Sequence, residues 1–319
     1  MGTTRGKGII EQPLLRSSET SFEGRARKLI DEQLKKEPKS VIVVLGPTAS
    51  GKTALALALA EYFPIEIISA DSRLVYKDMD IGTAKPTKEE QKLVPHHLLD
   101  VVDPEERFTV ADYQKATFRI IDDVIKRKKI PVLVGGTMLY IDSVINNYQL
   151  PIENEESALR KRIRAMSLEQ LQKELLDLVP DYDKYIDSKN PVRLMRALQH
   201  YHLTGEWLWE KSHKSKPKYP YVLLGLSVDK EELKERVAKR IQQQIDDGLI
   251  EEVKDLIKKY PKSEIAMTGI GYRQVMGFLK GEFKKEIMIE QLNKDTLAYA
   301  KRQMTWWKWN KEIHWLQRN

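Results

Sequence analysis

The sequence predicts an α/β fold: a parallel sheet flanked by helices, with an all-helical subdomain inserted into it. Short β-branched apolar runs alternate with helical segments, as in strands buried on both faces. A glycine-rich turn, Gly46 to Thr53, sits between the first such run and the first strong helix former, which makes the sheet P-loop NTPase-like. Between Pro151 and Pro220 the strand signal vanishes, and Arg and Lys accompany a helical period.

Taken in order, residues 1–38 read as an N-terminal extension. They are polar, carry Gly2, Gly6, Gly8 and Gly24, and end at Pro38. A short helix from Phe22 to Lys36 fits them, and a solvated appendage is expected rather than a functional arm. Glu11, Glu19 and Glu23 argue against a mitochondrial presequence. The core takes residues 39–150 and 219–319. Val41-Ile42-Val43-Val44-Leu45 is the first strand and the Ala- and Leu-rich run Thr53 to Ala60 the first core helix. Ile65 to Ser69, Pro131 to Val134 and Tyr221 to Leu226 are further strands. Residues 151–218 form the helical insertion. One long helix is expected from Lys230 to Lys259 and another from Glu290 to Trp309.

With 319 residues and 41% hydrophobic content there is room for a real core, as one α/β domain with an insertion or as two domains. No run approaches the ~20 apolar residues of a membrane helix, and the N-terminus lacks a secretory pattern. The absence of cysteine excludes disulfides, Cys-ligated zinc and thiol catalysis, and fits a cytoplasmic protein. A net charge of +7, from 54 Lys and Arg against 47 Asp and Glu, favours a polyanionic partner without naming one.

Gly46-Pro47-Thr48-Ala49-Ser50-Gly51-Lys52-Thr53 matches the Walker A pattern at every fixed position and in the strand-to-helix context it requires. Backbone N–H groups of such a loop face phosphates, Lys52 adds positive charge, and the Thr53 hydroxyl can ligate Mg²⁺. An NTPase usually adds an acid at the end of a hydrophobic strand to hold the metal. Here Pro131 to Val134 runs into Gly135-Gly136-Thr137. This disfavours a motor or switch ATPase and leaves P-loop transferases. The second strand ends in Ser69-Ala70-Asp71-Ser72-Arg73, which puts Asp71 at the carboxyl edge where parallel-sheet sites lie. Two readings of Asp71 stand side by side: a general base or metal ligand, and a helix N-cap. Asp80 to Pro86 reads as a loop. His96 and His97 lack metal-ligand spacing, so packing or hydrogen bonding is expected.

Several motifs in order carry a resemblance. They are Gly46–Thr53; Ile68 to Arg73; Asp78 to Pro86; Gly135 to Tyr140; Asn190-Pro191-Val192-Arg193-Leu194-Met195-Arg196-Ala197-Leu198; Gly269 to Gln274; and Tyr299 to Gln303. Together, from about residue 40 to about 309, they resemble the tRNA dimethylallyltransferases, also called tRNA isopentenyltransferases. The resemblance implies transfer of a dimethylallyl group from dimethylallyl diphosphate to N6 of adenosine-37, next to the tRNA anticodon. It implies Asp71 as general base, Thr137 at the reacting adenine, and Lys52, Thr53 and Mg²⁺ at the departing diphosphate. Arg236 and Arg240 would close over the same phosphates; a solvated helix face is the alternative for them. The target base must flip out to be reached. The resemblance further implies tRNA contacts at Asp71, Ser72, Arg73, Leu74 and Thr137, at Arg160 and Val192 to Arg196 of the insertion, and at Gly269, Ile270, Gly271, Tyr272, Arg273 and Gln274. The partner is then the tRNA anticodon stem-loop, and a monomer is expected.

Val192 and Met195 stand where polar residues are common in the family's insertion helix. With no cysteine for the zinc finger of eukaryotic members, the chain looks like the shorter bacterial type. Trp306, Trp307 and Trp309 either stack on RNA or pack. The rival readings are an isopentenyltransferase acting on free adenine nucleotide, a small-molecule P-loop kinase, and a nucleotide-gated RNA-binding module without chemistry.

Overall fold

The computed structural model describes residues 21–150, 158–210, 215–263 and 266–317. Residues 1–20 of the expected extension, and Pro151 at the expected start of the insertion, lie outside them. The chain divides into two compact units: one holds the residues through Ile145 and from Lys218 onward, the other runs Asn146–Pro217.

The first unit is built on six strands: β1 Val41–Leu45, β2 Ile65–Ala70, β3 His96–His97, β4 Ile130–Gly135, β5 Tyr221–Ser227 and β6 Ile313–Gln317. They form one sheet in the order β3-β2-β4-β1-β5-β6, and every pair is parallel. Both faces are covered, so the strands read as continuous apolar runs whose side chains alternate between two cores. Ile42, Val44, Ile67, Val132 and Leu224 join one core with the helices Phe22–Lys36 and Lys52–Leu59. Val43, Leu45, Ile68, Leu133 and Leu223 join the other with Val110–Lys126, Met138–Ile145 and Trp307.

Register fixes where the site will be. Leu45 and Ala70 both pair with Gly135. The next residues in the chain, Gly46, Asp71 and Gly136, therefore leave the sheet from one level at the carboxyl ends of three adjacent strands.

Four details differ from the sequence reading. The helix Phe22–Lys36 is no solvated appendage: Ala26 and Ile30 are buried in the core over β5 and β6, because a small and a branched residue four apart make one apolar face. The long helix expected from Lys230 to Lys259 is two helices, Lys230–Asp246 and Leu249–Lys259. Gly248 between them has φ +101°, a left-handed conformation no α-helix continues through. The last helix is Lys285–Trp307, starting before Glu290 and ending before Trp309. The edge strands β3 and β6 add to the four expected. At β3, His97 Nε2 meets the buried Glu66 carboxylate at 2.7 Å and His96 Nδ1 meets the Val94 carbonyl at 2.7 Å, the hydrogen-bonding role the sequence favoured. Among the described residues no group of three or more His, Cys, Asp or Glu could hold a metal, and no helix is long and apolar enough to cross a membrane.

The second unit is helical: Ala158–Arg164, Leu168–Leu178 and Pro191–Thr204 pack on Ile163, Leu171, Leu175, Leu194, Ala197 and Leu198.

Candidate active site

The phosphate loop leaves β1 at Gly46 and ends in the helix Lys52–Leu59. Gly51 is the N-cap of that helix and supplies no side-chain cap, and the first turn holds no acid. Its leading N–H groups are thus left to an anion. Lys52 folds over the loop, donating from Nζ to the carbonyls of Gly46 at 3.0 Å and Pro47 at 2.7 Å. Burial, then the nearby Arg240 charge, push the Lys52 ammonium down to about 7, against the pull of Asp71. Arg240 comes from the helix Lys230–Asp246. Its guanidinium reaches the Thr83 carbonyl at 3.2 Å and the Thr48 hydroxyl at 3.5 Å. Burial holds it below its ordinary value while Asp71 pulls the other way. The solvated-face alternative therefore fails for Arg240. Arg236, one turn earlier, pairs with Glu232 at 2.5 Å and also lines the cavity.

Asp71 follows β2. Its Oδ1 accepts the Arg73 backbone N–H at 2.8 Å, the two-residue reach of an Asx turn. No α-helix begins there, so Asp71 is not an N-cap, and Oδ2 has no hydrogen-bond partner among the described residues. Thr137 follows β4: its Oγ1 accepts the Ser72 N–H at 3.0 Å, and its own N–H donates to the Ala70 carbonyl at 3.0 Å. The ends of β2 and β4 are thereby tied together, with Asp71 between the ties.

Two cavities meet at this edge. One, of about 520 Å³, holds the phosphate loop, Asp71, Arg236, Arg240 and Gln303. The other, of about 300 Å³, holds Asp71, Ser72, Arg73, Gly269 to Arg273 and Arg302. Thr48, Asp71, Thr83, Arg240 and Tyr299 line both. Leu74 lines only the first, on the loop side. Gln274 lines neither: it is buried, accepting the Gly271 N–H at 2.9 Å and donating to Asp295 at 2.7 Å. Tyr272 forms a wall, its hydroxyl donating to Glu252 at 2.8 Å. Glu252 also accepts three backbone N–H groups, from Asp80, Ile81 and Gly82. This is why the Asp80 to Pro86 stretch holds its shape without regular structure.

Three residues of the quoted motifs to which the sequence reading gave no site role belong to the site. Gln303, buried, accepts the Thr48 N–H at 2.9 Å through Oε1 and donates from Nε2 to the Gly136 carbonyl at 2.7 Å. It joins the phosphate loop to the turn after β4. A Cβ on Gly136 would lie 2.2 Å from that Nε2, so a side chain here would have to push Gln303 out of these bonds. Tyr299, one turn before, donates to the Gly136 carbonyl at 3.3 Å; burial, and then the charge on Asp71, push its phenol up to about 12. Thr83 is the third. The signal for the first two was their i, i+4 spacing on one helix face.

In the insertion, Val192, Arg193 and Arg196 are exposed and Met195 and Arg160 half-buried. Leu194 is fully buried with Ala197 and Leu198 in that unit's core. Of the three tryptophans, Trp307 is core, Trp306 is half-exposed and donates from Nε1 to Asp142 at 2.7 Å, and Trp309 is 78% exposed.

The family model described as IPP transferase matches residues 74–310. A tRNA dimethylallyltransferase of Halothermothrix orenii is 39% identical over 284 residues, 86% of this chain and 87% of that protein. One of Acetivibrio thermocellus is 38% identical over 288 residues, 88% and 92% of the two chains. Among solved structures, a tRNA isopentenylpyrophosphate transferase of Bacillus halodurans aligns with a TM-score of 0.67 at 34% identity, covering 88% of this chain and 90% of that one. A eukaryotic dimethylallyltransferase acting on tRNA aligns with a TM-score of 0.75 at 26% identity, covering 88% and 74%.

Proposed function

Because the chain belongs to the IPP transferase family, we propose that it is a tRNA dimethylallyltransferase, moving a dimethylallyl group from dimethylallyl diphosphate to N6 of adenosine-37 beside the tRNA anticodon. One observation carries the reading at the level of the site. The phosphate-loop cavity and the cavity of Ser72, Arg73 and Gly269 to Arg273 share Asp71. A diphosphate donor in the first and a flipped base in the second would meet at one carboxylate.

The chemistry needs such a group. The N6 lone pair is delocalised into the ring, so the amino group is a poor nucleophile. As the new C–N bond forms, the bond from the allyl carbon to the diphosphate oxygen breaks and the diphosphate leaves with the electron pair. The Asp71 carboxylate takes the N6 proton, using the oxygen that the Asx turn leaves unused. Thr137, tied to Ser72, orients the base at that carboxylate. Lys52, Arg240, Arg236 and the loop N–H groups offset charge on the leaving diphosphate. The Thr53 hydroxyl, at the start of the helix that follows the phosphate loop, would hold Mg²⁺ beside the diphosphate. When bound, Mg²⁺ would add to the charge neutralisation at the leaving group.

Within this reading residues 151–218 are a tRNA-binding insertion, with Arg160, Arg193 and Arg196 contacting phosphates, Val192 and Met195 beside them, and the backbone at Leu194 as its only contact. The second cavity's Arg73 and Arg273 and the glycines at 269 and 271 line the path of the base. In this reading the protein works as a monomer on cytoplasmic tRNA. The test is incubation with unmodified tRNA, dimethylallyl diphosphate and Mg²⁺, then nuclease digestion and mass analysis, with AMP and ATP in parallel. Dimethylallyladenosine from tRNA alone is expected. Product from AMP would overturn the choice of acceptor, and phosphate transfer from ATP would make the protein a kinase.

A further inference from the structure

The insertion holds a ladder of aromatic rings whose outer end its core does not explain. Tyr201 and Trp207 stack at 4.0 Å between ring centroids, Trp207 and Trp209 at 4.9 Å, and Trp209 and Tyr185 at 5.5 Å, with interplanar angles of 8°, 7° and 6°. The inner rungs are ordinary core: Trp207 is 7% exposed and joins the cluster with Leu171 and Leu198. The outer end is not. Tyr185 is 55% exposed, so the ladder ends in an aromatic surface open to solvent. Beside it lies a cavity of about 260 Å³ lined by Val179, Asp181, Tyr185, Trp207, Trp209 and Glu210.

The chemistry of that cavity narrows its ligand. Parallel rings ending in an open face offer stacking to a flat π-system, and every nucleobase has one. The two carboxylates repel phosphate, so this is not a backbone contact like those expected of Arg193 and Arg196. Carboxylates accept hydrogen bonds and so select an edge that donates. Glu210 has one oxygen occupied, Oε2 accepting the Trp207 N–H at 2.9 Å; Oε1 accepts nothing among the described residues. Among the described residues the Asp181 carboxylate is engaged by Lys184, at 3.3 Å. Adenine and cytosine present one amino group on the pairing edge. Guanine alone presents two adjacent donors, N1–H and the N2 amino group, which match the two oxygens of a carboxylate.

We infer that the Tyr185–Trp209 end of this ladder binds an unpaired guanine of the tRNA, stacked on the rings with its N1–H and N2 amino edge on Asp181 and Glu210. The inference rests on tRNA being the substrate. It adds a second base-recognition point besides the flipped adenine, one that reads sequence where the insertion's arginines would read only charge.

The test uses the full chain and unmodified tRNA transcripts, one of them with its unpaired guanosines replaced by inosine, which lacks the N2 amino group. The wild type is expected to bind the inosine transcript about tenfold more weakly. Tyr185→Ala should lose about tenfold on the ordinary transcript and then become indifferent to inosine, while Tyr185→Phe keeps wild-type behaviour. Asp181→Ala with Glu210→Ala, which removes the acceptor oxygens, should also become indifferent to inosine. The salt slope of binding should not change in Tyr185→Ala, because stacking neutralises no phosphate. Equal wild-type affinity for the two transcripts, wild-type affinity in Tyr185→Ala, or a reduced salt slope in that variant would each overturn the inference. An unchanged melting temperature for Tyr185→Ala rules out a folding defect, and Tyr185→Phe provides the same control from within the site. The prenylation assay separates this inference from the reading beneath it. Product on tRNA without inosine discrimination removes only the guanine site; inosine discrimination without product removes only the assigned reaction.

Discussion

Gln303→Ala should damage the donor site from outside it. In the native protein Gln303 accepts the Thr48 N–H at 2.9 Å and donates to the Gly136 carbonyl at 2.7 Å. Removing the side chain leaves the Gly136 carbonyl with the Tyr299 hydroxyl at 3.3 Å, so that group keeps a partner. Thr48 N–H keeps none, inside the phosphate loop. A polar group stranded in this way costs about 1–3 kcal/mol. Part of that cost should appear as a melting temperature lower by about 2–4 °C per kcal/mol. The rest should appear as a looser loop, with the KM for dimethylallyl diphosphate raised about tenfold, equivalent to about 1.4 kcal/mol, and kcat at saturating donor changed much less. Gly136→Ala should reproduce the effect, since its Cβ would fall 2.2 Å from Gln303 Nε2. The double variant should then be little worse than either single one, because both break one link. Steady-state kinetics and thermal unfolding measure all of this. A Gln303→Ala protein less stable but with an unchanged donor KM would refute the coupling between Gln303 and the loop.

Three further outcomes follow from the same geometry. Lys52 is held down to about 7 in the free protein, and a bound anion favours its charged form. Diphosphate binding above pH 7 must then take up a proton, and affinity should fall as pH rises, by up to about tenfold per unit. Calorimetry in two buffers of different ionisation enthalpy reads this uptake; Lys52→Arg should abolish the part Lys52 contributes, and its persistence in that variant would assign it to another group. Arg193→Ala should weaken tRNA binding and lower the magnitude of its salt slope by about one; an unchanged slope on filter binding would remove Arg193 from phosphate contact. Gly248→Ala should destabilise the fold by about 1 kcal/mol or more, since φ is +101° there and alanine resists that conformation; a denaturation midpoint equal to wild type would count against strain at this break.

How much of this was legible in the sequence depended on distance along the chain. The phosphate loop was legible because its residues are contiguous and lie between a strand and a helix. Asp71 was legible because it ends an apolar strand. Gln303 was not, because its partners Thr48 and Gly136 lie 255 and 167 residues away. The strand β6 escaped notice because only Ile313 and Leu316 of its five residues are buried, which leaves no clear period. The break at Gly248 was hidden by apolar residues on both sides of it, Ile245 and Leu249, that each continue a helical pattern. The burial of Leu194 was not legible because a family motif carries over residue identities but not faces. In the helix Pro191–Thr204, Leu194 shares the buried side with Ala197 and Leu198, three and four residues on, and Arg193 and Arg196 take the open one.

The central claim is that Asp71, shared by two cavities, takes the proton from the adenine amino group. Single-turnover transfer by Asp71→Asn tests it most directly, with tRNA and diphosphate affinities measured on the same protein. Asparagine retains an oxygen for the Arg73 N–H, so the turn at 2.8 Å should persist while the base is lost. The account predicts transfer slower by about 10²–10⁴-fold, with both affinities within a few-fold of wild type. Transfer within about tenfold of wild type, or loss of binding in step with loss of rate, would contradict it.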